Sequence, residues 1–173
     1  MTEAEQIRQS IEGAIKFYTE HPEKAVSADK AAQVSWQGGL RFRAEGTNGA
    51  IFLSDMPKDV GGVQSAPTPG WFMRAGVASC TASVIAMRAA QQGVALSKLD
   101  IAVDSSSDDR GFFGIDDSIP AGPLQMRMQV SIAAADGTSP EQLRAIVEWA
   151  EAHSPVAEAV RRAVPFTTEV EVG

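Results

Sequence analysis

Apolar and polar positions recur along this chain with two different periods, and the changes of period mark out its elements. Ile7, Ile11, Ala14, Ile15 and Tyr18 fall at helical spacing behind Thr2 and Glu5, a pair placed to cap each other's backbone N–H groups. This predicts a helix over about 3–20, charged on its opposite face and stopped by His21-Pro22. Three short alternating runs follow at 31–36 (AAQVSW), 39–45 (GLRFRAE) and 50–54 (AIFLS), with Gly- and Asn-containing turns between them. They predict antiparallel strands. In the middle run Leu40, Phe42 and Ala44 share one face, and Arg41 and Arg43 the other. Residues 55–69, with Pro57, Pro67, Pro69 and the adjacent Gly61-Gly62, predict an irregular connection.

The pattern changes most between Ala66 and Gly93. Thr68-Pro69 supplies an N-cap and a proline suited to a first helical position, and Gly93 a terminator, so a long helix is expected to about Gln92. No charged residue lies between Arg74 and Arg88, and a helix that is apolar or small on every side has to be covered by the rest of the fold. Met73, Val77, Cys80, Val84 and Met87 form one stripe. Ala75, Gly76, Ala78, Ser79, Ala82 and Ala86 keep the remaining surface narrow, which lets another helix approach closely.

Residues 98–106 and 124–134 then alternate as half-buried strands. Their long connection carries Phe112-Phe113 among Asp108, Asp109, Asp116 and Asp117, and the two rings either anchor this loop or line a pocket or a subunit contact. Ser139-Pro140-Glu141-Gln142 opens a helix through about 152, His153-Ser154-Pro155 interrupts it, and 156–163 reads as a further short helix. The final run, 166–172 (FTTEVEV), alternates as a strand. Helix one followed by βββ-α-ββ-αα-β is the order of an α+β domain, with too few βαβ crossovers for a doubly wound sheet. At 173 residues and 18.3 kDa, residues 1–173 are expected to form a single domain with its own core.

Charge and composition narrow the partners. Fifteen basic against 22 acidic residues, with no basic cluster, argue against nucleic acid. The charged first turns exclude a secretory signal. The uncharged centre of the long helix, 75–87, is shorter than the roughly 20 apolar residues a membrane span needs, so no membrane contact is expected and a cytoplasmic location is. Two His and one Cys argue against structural zinc, and neither a metal nor a cofactor is expected: there is no phosphate-cradling glycine loop, no His pair at metal spacing and no Gly-x-Ser-x-Gly elbow.

Chemistry therefore rests on Cys80. By its place on an apolar stripe it is either small core filler or a nucleophile, and the second requires a thiolate. Cys80 lies about three turns into its helix, beyond reach of the helix dipole, so activation needs a cation from elsewhere, and Arg41 or Arg43 is of the right type. His153 beside Ser154 does not make a nucleophile and base, because adjacent side chains rarely face one another and no third residue completes a triad.

The stretch PGWFMRAGVASCTAS, a proline-entered helix whose Ala/Gly-rich turn runs into a Cys, resembles the central helix of the OsmC/Ohr family of osmotically inducible and organic hydroperoxide resistance proteins. So do Trp36-Gln37-Gly38 before a β-meander and the Ser154-Pro155-Val156 step, where family members often carry Cys-Pro. The resemblance covers 31–172 and leaves 1–28 as an N-terminal helical extension. It implies antiparallel sheets around a long buried central helix, in an intertwined homodimer whose subunits complete each other's sheets. It also implies thiol peroxidase chemistry, with Cys80 at the peroxidatic position. The same comparison puts Ser154 at the resolving position and Gly70 where an acidic residue usually orients an activating arginine, whose own place falls at either Leu40 or Arg41 across the Gly38-Gly39 turn. A two-cysteine cycle is thereby excluded. Two functions remain: a one-cysteine reductase of organic hydroperoxides in oxidative-stress defence, using Cys80, Arg41 and an external thiol reductant, or a non-catalytic homodimer that holds a small apolar or aromatic ligand in the crevice between subunits.

Overall fold

The computed structural model describes residues 1–173, which divide into two compact units, 12–75 and 1–11 together with 76–173. The fold is α+β: helices α1 (Glu3–Glu20), α2 (Pro69–Gln91), α3 (Asp109–Phe112), α4 (Pro140–His153) and α5 (Pro155–Arg161), with a three-stranded and a two-stranded antiparallel sheet.

Capping chemistry sets the helix ends. Thr2 N–H donates to Glu5 Oε2 at 2.7 Å while Glu5 N–H donates to Thr2 Oγ1 at 3.2 Å, a reciprocal capping box. Thr68 Oγ1 accepts from Trp71 N–H and Ser139 Oγ from Gln142 N–H, each helix then beginning with its proline. Gly93 ends α2 at φ 71°, a left-handed conformation that glycine adopts without strain, and Val94 N–H closes the turn on Ala89 O at 2.9 Å. α1 contains no buried residue; its Ile15 and Tyr18 remain exposed in the single chain.

In the 12–75 unit, β1 (Gln33–Trp36), β2 (Phe42–Glu45) and β3 (Ile51–Ser54) pair in sequence order. The strands are shorter than the sequence pattern suggests, and Arg41 lies in the hairpin turn rather than in β2. The register Trp36↔Phe42 and Ala44↔Phe52 puts Val34, Trp36, Phe42 and Phe52 on one face, and the Phe52 ring meets Phe72 of α2 at 5.3 Å.

The connection 55–67 is tied down by one buried carboxylate. Asp55 accepts from Ser65 N–H at 2.9 Å, Ser65 Oγ–H at 2.8 Å and Met56 N–H at 2.8 Å. The chain turns so tightly there that a Cβ at Gly62 would stand 1.8 Å from Met56 O. The Ser65 N–H bond above all, with the Ser65 hydroxyl and further backbone donors, lowers the Asp55 pKa from 3.8 to about 2. Protonation is thus harder in the folded chain than in the unfolded one. The stabilisation is complete above pH 4 and falls away as the pH drops toward about 2. Asp55→Asn is expected to weaken the loop at neutral pH and to flatten the acid limb of the unfolding curve, measured by thermal melts from pH 2 to 7.

In the other unit, β4 (Leu96–Ser106) and β5 (Gln125–Ala134) form a long hairpin with a bulge at Leu96/Lys98. Asp104 and Arg127 face each other across it at 2.8 Å on the outer side. The inner side, with Ile101, Val130 and Ile132, packs on Ile85, Ala89, Leu143, Ile146 and Ala150 of α2 and α4, which form the core. Ile85, Ile146 and Ala150 are fully excluded from solvent. Residues 162–173 carry no secondary structure and are exposed throughout, so the expected strand at 166–172 does not form within one chain.

Candidate functional site

The fully buried row of α2 is Val77, Thr81, Ile85 and Ala89, which recur every four residues. This row is rotated from the stripe expected through Met73, Val77, Cys80, Val84 and Met87. The physical reason is that α4 and the sheet cover the Ile85 side, leaving Met87 exposed and Cys80 half-buried. At about 100° per residue, Cys80 stands at the border between the buried row and an open face made by Gly76, Ser79, Ser83 and Met87.

The hydroxyls on that open face are spent within the helix. Ser79 Oγ donates to Gly76 O at 3.3 Å and Ser83 Oγ to Ser79 O at 3.0 Å. The face is therefore narrow and makes no polar demand on whatever covers it.

Ser154 is the single residue between α4 and α5, serving as C-cap of one and N-cap of the other. Its hydroxyl makes no capping bond. Instead Thr81 Oγ1 donates to Ser154 Oγ at 3.0 Å, and both residues are fully buried. The Ser154 side chain, which the resemblance matches to the resolving position, is thus committed to the neighbour of Cys80 in sequence, on the buried side of α2. Thr81 was not singled out from the sequence; the signal available was a Thr on the apolar side of a helix, which needs a partner once buried.

His153 is engaged elsewhere. Its Nδ1 lies 2.7 Å from Trp149 O, and a carbonyl only accepts, so Nδ1 carries the proton. The imidazole stacks on the Trp149 ring at 4.0 Å, and the Arg88 guanidinium lies 4.5 Å from the same ring. His153 and Ser154 point to different partners and form no dyad.

Arg41 belongs to the 12–75 unit. Gly38 and Gly39, both at positive φ, form the β1–β2 turn; Trp36 Nε1 donates to Gly39 O at 2.8 Å, and Arg41 Nε donates to Gly38 O at 3.4 Å. The exposed guanidinium is presented at the tip of this hairpin. Arg43, the other candidate cation, is ion-paired with Glu45 on the same strand. Gly70 lies in the first turn of α2, and a Cβ there would stand 3.7 Å from Arg74 Nη1. No group of three or more His, Cys, Asp or Glu side chains converges as a metal site, and no helix is long and apolar enough to cross a membrane.

Among curated proteins, no sequence matches this chain. Solved structures do. The organic hydroperoxide resistance protein OsmC of Legionella pneumophila is similar with a TM-score of 0.56 at 22% identity, over 78% of this chain and 92% of that one. OhrB of Bacillus subtilis, named an organic hydroperoxide resistance protein, gives 0.52 at 22% identity, over 78% and 93%. An OsmC-like protein of Mycoplasma pneumoniae gives 0.61 at 14% identity, over 79% and 89%. These likenesses establish the fold. The family model described as OsmC-like protein matches residues 62–169, a span that contains α2, both strands of the long hairpin, α4 and α5. The chain belongs to the OsmC-like protein family.

Proposed function

We propose that this protein is a one-cysteine, thiol-dependent organic hydroperoxide reductase that works as a homodimer. The observation that carries the reading is the place of Cys80: half exposed, at the edge of the open face of α2, inside the family match. Two of the similar structures are named organic hydroperoxide resistance proteins. The Cys80 thiolate attacks the outer peroxide oxygen. An S–O bond forms as the O–O bond breaks, and the departing alkoxide takes a proton to become the alcohol. Cys80 is left as a sulfenic acid. Since Ser154 offers a hydroxyl already bound to Thr81, an external thiol condenses with the sulfenic acid and releases water. A second external thiol then splits the mixed disulfide, restoring Cys80 and leaving as the external disulfide. Arg41 is the cation proposed to favour the thiolate.

The second reading, a non-catalytic homodimer with an apolar or aromatic ligand in the subunit crevice, is favoured by Gly70 and Ser154 standing where the family pattern has an acid and a thiol. Stopped-flow mixing with cumene hydroperoxide separates the two. The reductase is expected to lose the Cys80 thiol much faster than free cysteine does, and Cys80→Ser to turn over peroxide at the rate of buffer with thiol alone. Consumption at the free-cysteine rate overturns the reductase and leaves the ligand-binding dimer.

Support for the homodimer comes from surfaces that one chain leaves uncovered. The small face of α2 has its hydroxyls internally satisfied. In the three-stranded sheet Val34 and Trp36 are 63% and 69% exposed. A groove of about 710 Å3 is lined by residues 130–134 and by Leu143 and Val147 of α4. Successive strand residues point to opposite faces, so five in a row line one groove only where it follows the strand's edge. That edge of β5 has no strand beside it. The segment 166–172, alternating and unpaired, is suited to fill it in a second copy.

A further inference from the structure

We propose that a cavity between α2, the inner side of the β4–β5 hairpin and α5 is a binding site for a small, uncharged, apolar molecule up to the size of one aromatic ring. The site goes beyond the hydroperoxide reading and does not depend on it.

The cavity has a volume of about 150 Å3. Its walls are Val77 of α2, Val103 of β4, Met126 and Met128 of β5, and Ala157 and Val160 of α5. Val103 and Met128 are directly opposed in the register, so their side chains stand on the same, inner side of the hairpin. Val77 and Ala157 are buried and form the floor. Val160 is 44% exposed and marks the mouth, where Glu151 and Arg161 complete the lining, while Arg127, between the two methionines on β5, turns its guanidinium to the outer side of the hairpin.

The charges around the pocket decide what the site accepts. Arg127 Nη2 donates to Asp104 Oδ2 at 2.8 Å, and Arg161 donates to Glu151 twice, from Nη1 to Oε1 at 2.9 Å and from Nη2 to the backbone oxygen at 2.5 Å. Both cations and both lining or neighbouring carboxylates are matched within the chain. An ionic ligand would give up its hydration among valine and methionine side chains and find no uncommitted counter-charge. An apolar ligand loses nothing of that kind.

Closed aliphatic voids of roughly 150 Å3 take up benzene, and a pocket of this volume with apolar walls and one open side has room for a single small ring. The two methionines add to the fit. Their thioethers are flexible enough to follow a ligand's outline and make favourable sulfur contacts with aromatic rings. Ala157 of α5 is buried in the lining, so a longer side chain there would project into the pocket.

The test is a titration of the full-length protein, labelled at the methionine methyls, with benzene up to its solubility. The Met126 and Met128 methyl resonances are expected to move upfield and to saturate, while benzoate, the same ring with a charge, leaves them in place. Ala157→Leu fills the floor and is expected to abolish the response. Val160→Phe, a change at the half-exposed mouth, is expected to do the same and serves where the core variant does not fold. Methyl resonances that stay fixed in benzene, an equal response to benzoate, or a saturable response retained in a folded variant overturns the site. None of these readouts involves peroxide turnover, so the outcome is distinguishable from failure of the Cys80 reading.

Discussion

Removing residues 164–173 is expected to leave the protein monomeric at micromolar concentration, where the proposed homodimer of the full chain is expected to run at twice 18.3 kDa. The expectation follows from what the tail carries and what it lacks. Phe166, Val170 and Val172 are 91%, 77% and 90% exposed in the single chain, on an alternating segment without a partner strand. Each such side chain contributes about 1.5–3 kcal/mol when fully buried. In a two-fold assembly both tails are lost together. Even one valine's share from each tail comes to about 3 kcal/mol, or a factor of ~10² in dissociation constant. Sedimentation or light scattering across a dilution series reads this directly. A truncated chain that stays dimeric with an unchanged midpoint would show that the small face of α2 and the open sheet, not the tail, hold the subunits together. Phe166→Ser in the full chain is expected to weaken the dimer in the same direction and by less.

The same tail shows where sequence reasoning reaches and where it stops. The capping box at Thr2/Glu5, the Thr68-Pro69 and Ser139-Pro140 starts and the Gly93 stop are local signals, and α1, α2 and α4 begin and end close to where these residues place them. Alternation located β1 to β5 for the same reason: the pattern and the partner strand both lie within the chain. The run at 166–172 has the pattern without the partner, and alternation alone cannot name which edge a strand will join. The rotation of the buried row on α2 from Cys80 toward Thr81 was also not legible. A helix apolar on every side offers no polar face from which to orient it, so the choice was left to α4 and the hairpin. The α3 turn at 109–112 and the Asp55 clasp depend on loop contacts, Arg110 with Asp108 and Ser65 with Asp55, that have no periodic signature. The long helix and the single cysteine on it were readable from the sequence, while the role proposed for Cys80 came from the family resemblance; the commitment of Ser154 to Thr81 was not legible, because the two are 73 residues apart.

That commitment sets a second large effect. Thr81→Val keeps the shape of the side chain and removes the donor; Ser154→Ala removes the acceptor. Each leaves a buried hydroxyl without its mate, at a cost of ~1–3 kcal/mol. Both single variants are expected in the lower half of that range, because each orphan has a fallback. The Ser154 hydroxyl sits at the N-cap of α5 and can turn to a first-turn N–H, while the Thr81 hydroxyl can bond back to the helix carbonyl four residues earlier. The double variant removes both polar groups and is expected to cost less than the two singles added, leaving a coupling of about 0.5–1.5 kcal/mol in a denaturant-unfolding cycle. A strictly additive cycle would mean the bond contributes nothing net. Peroxide consumption by Cys80 is expected to be unchanged in folded Ser154→Ala, since this hydroxyl faces the buried side of α2 and Cys80 stands at the edge of the open one. A loss of turnover there at undiminished stability would instead make Ser154 a positioning residue for the thiol, acting through the start of α5.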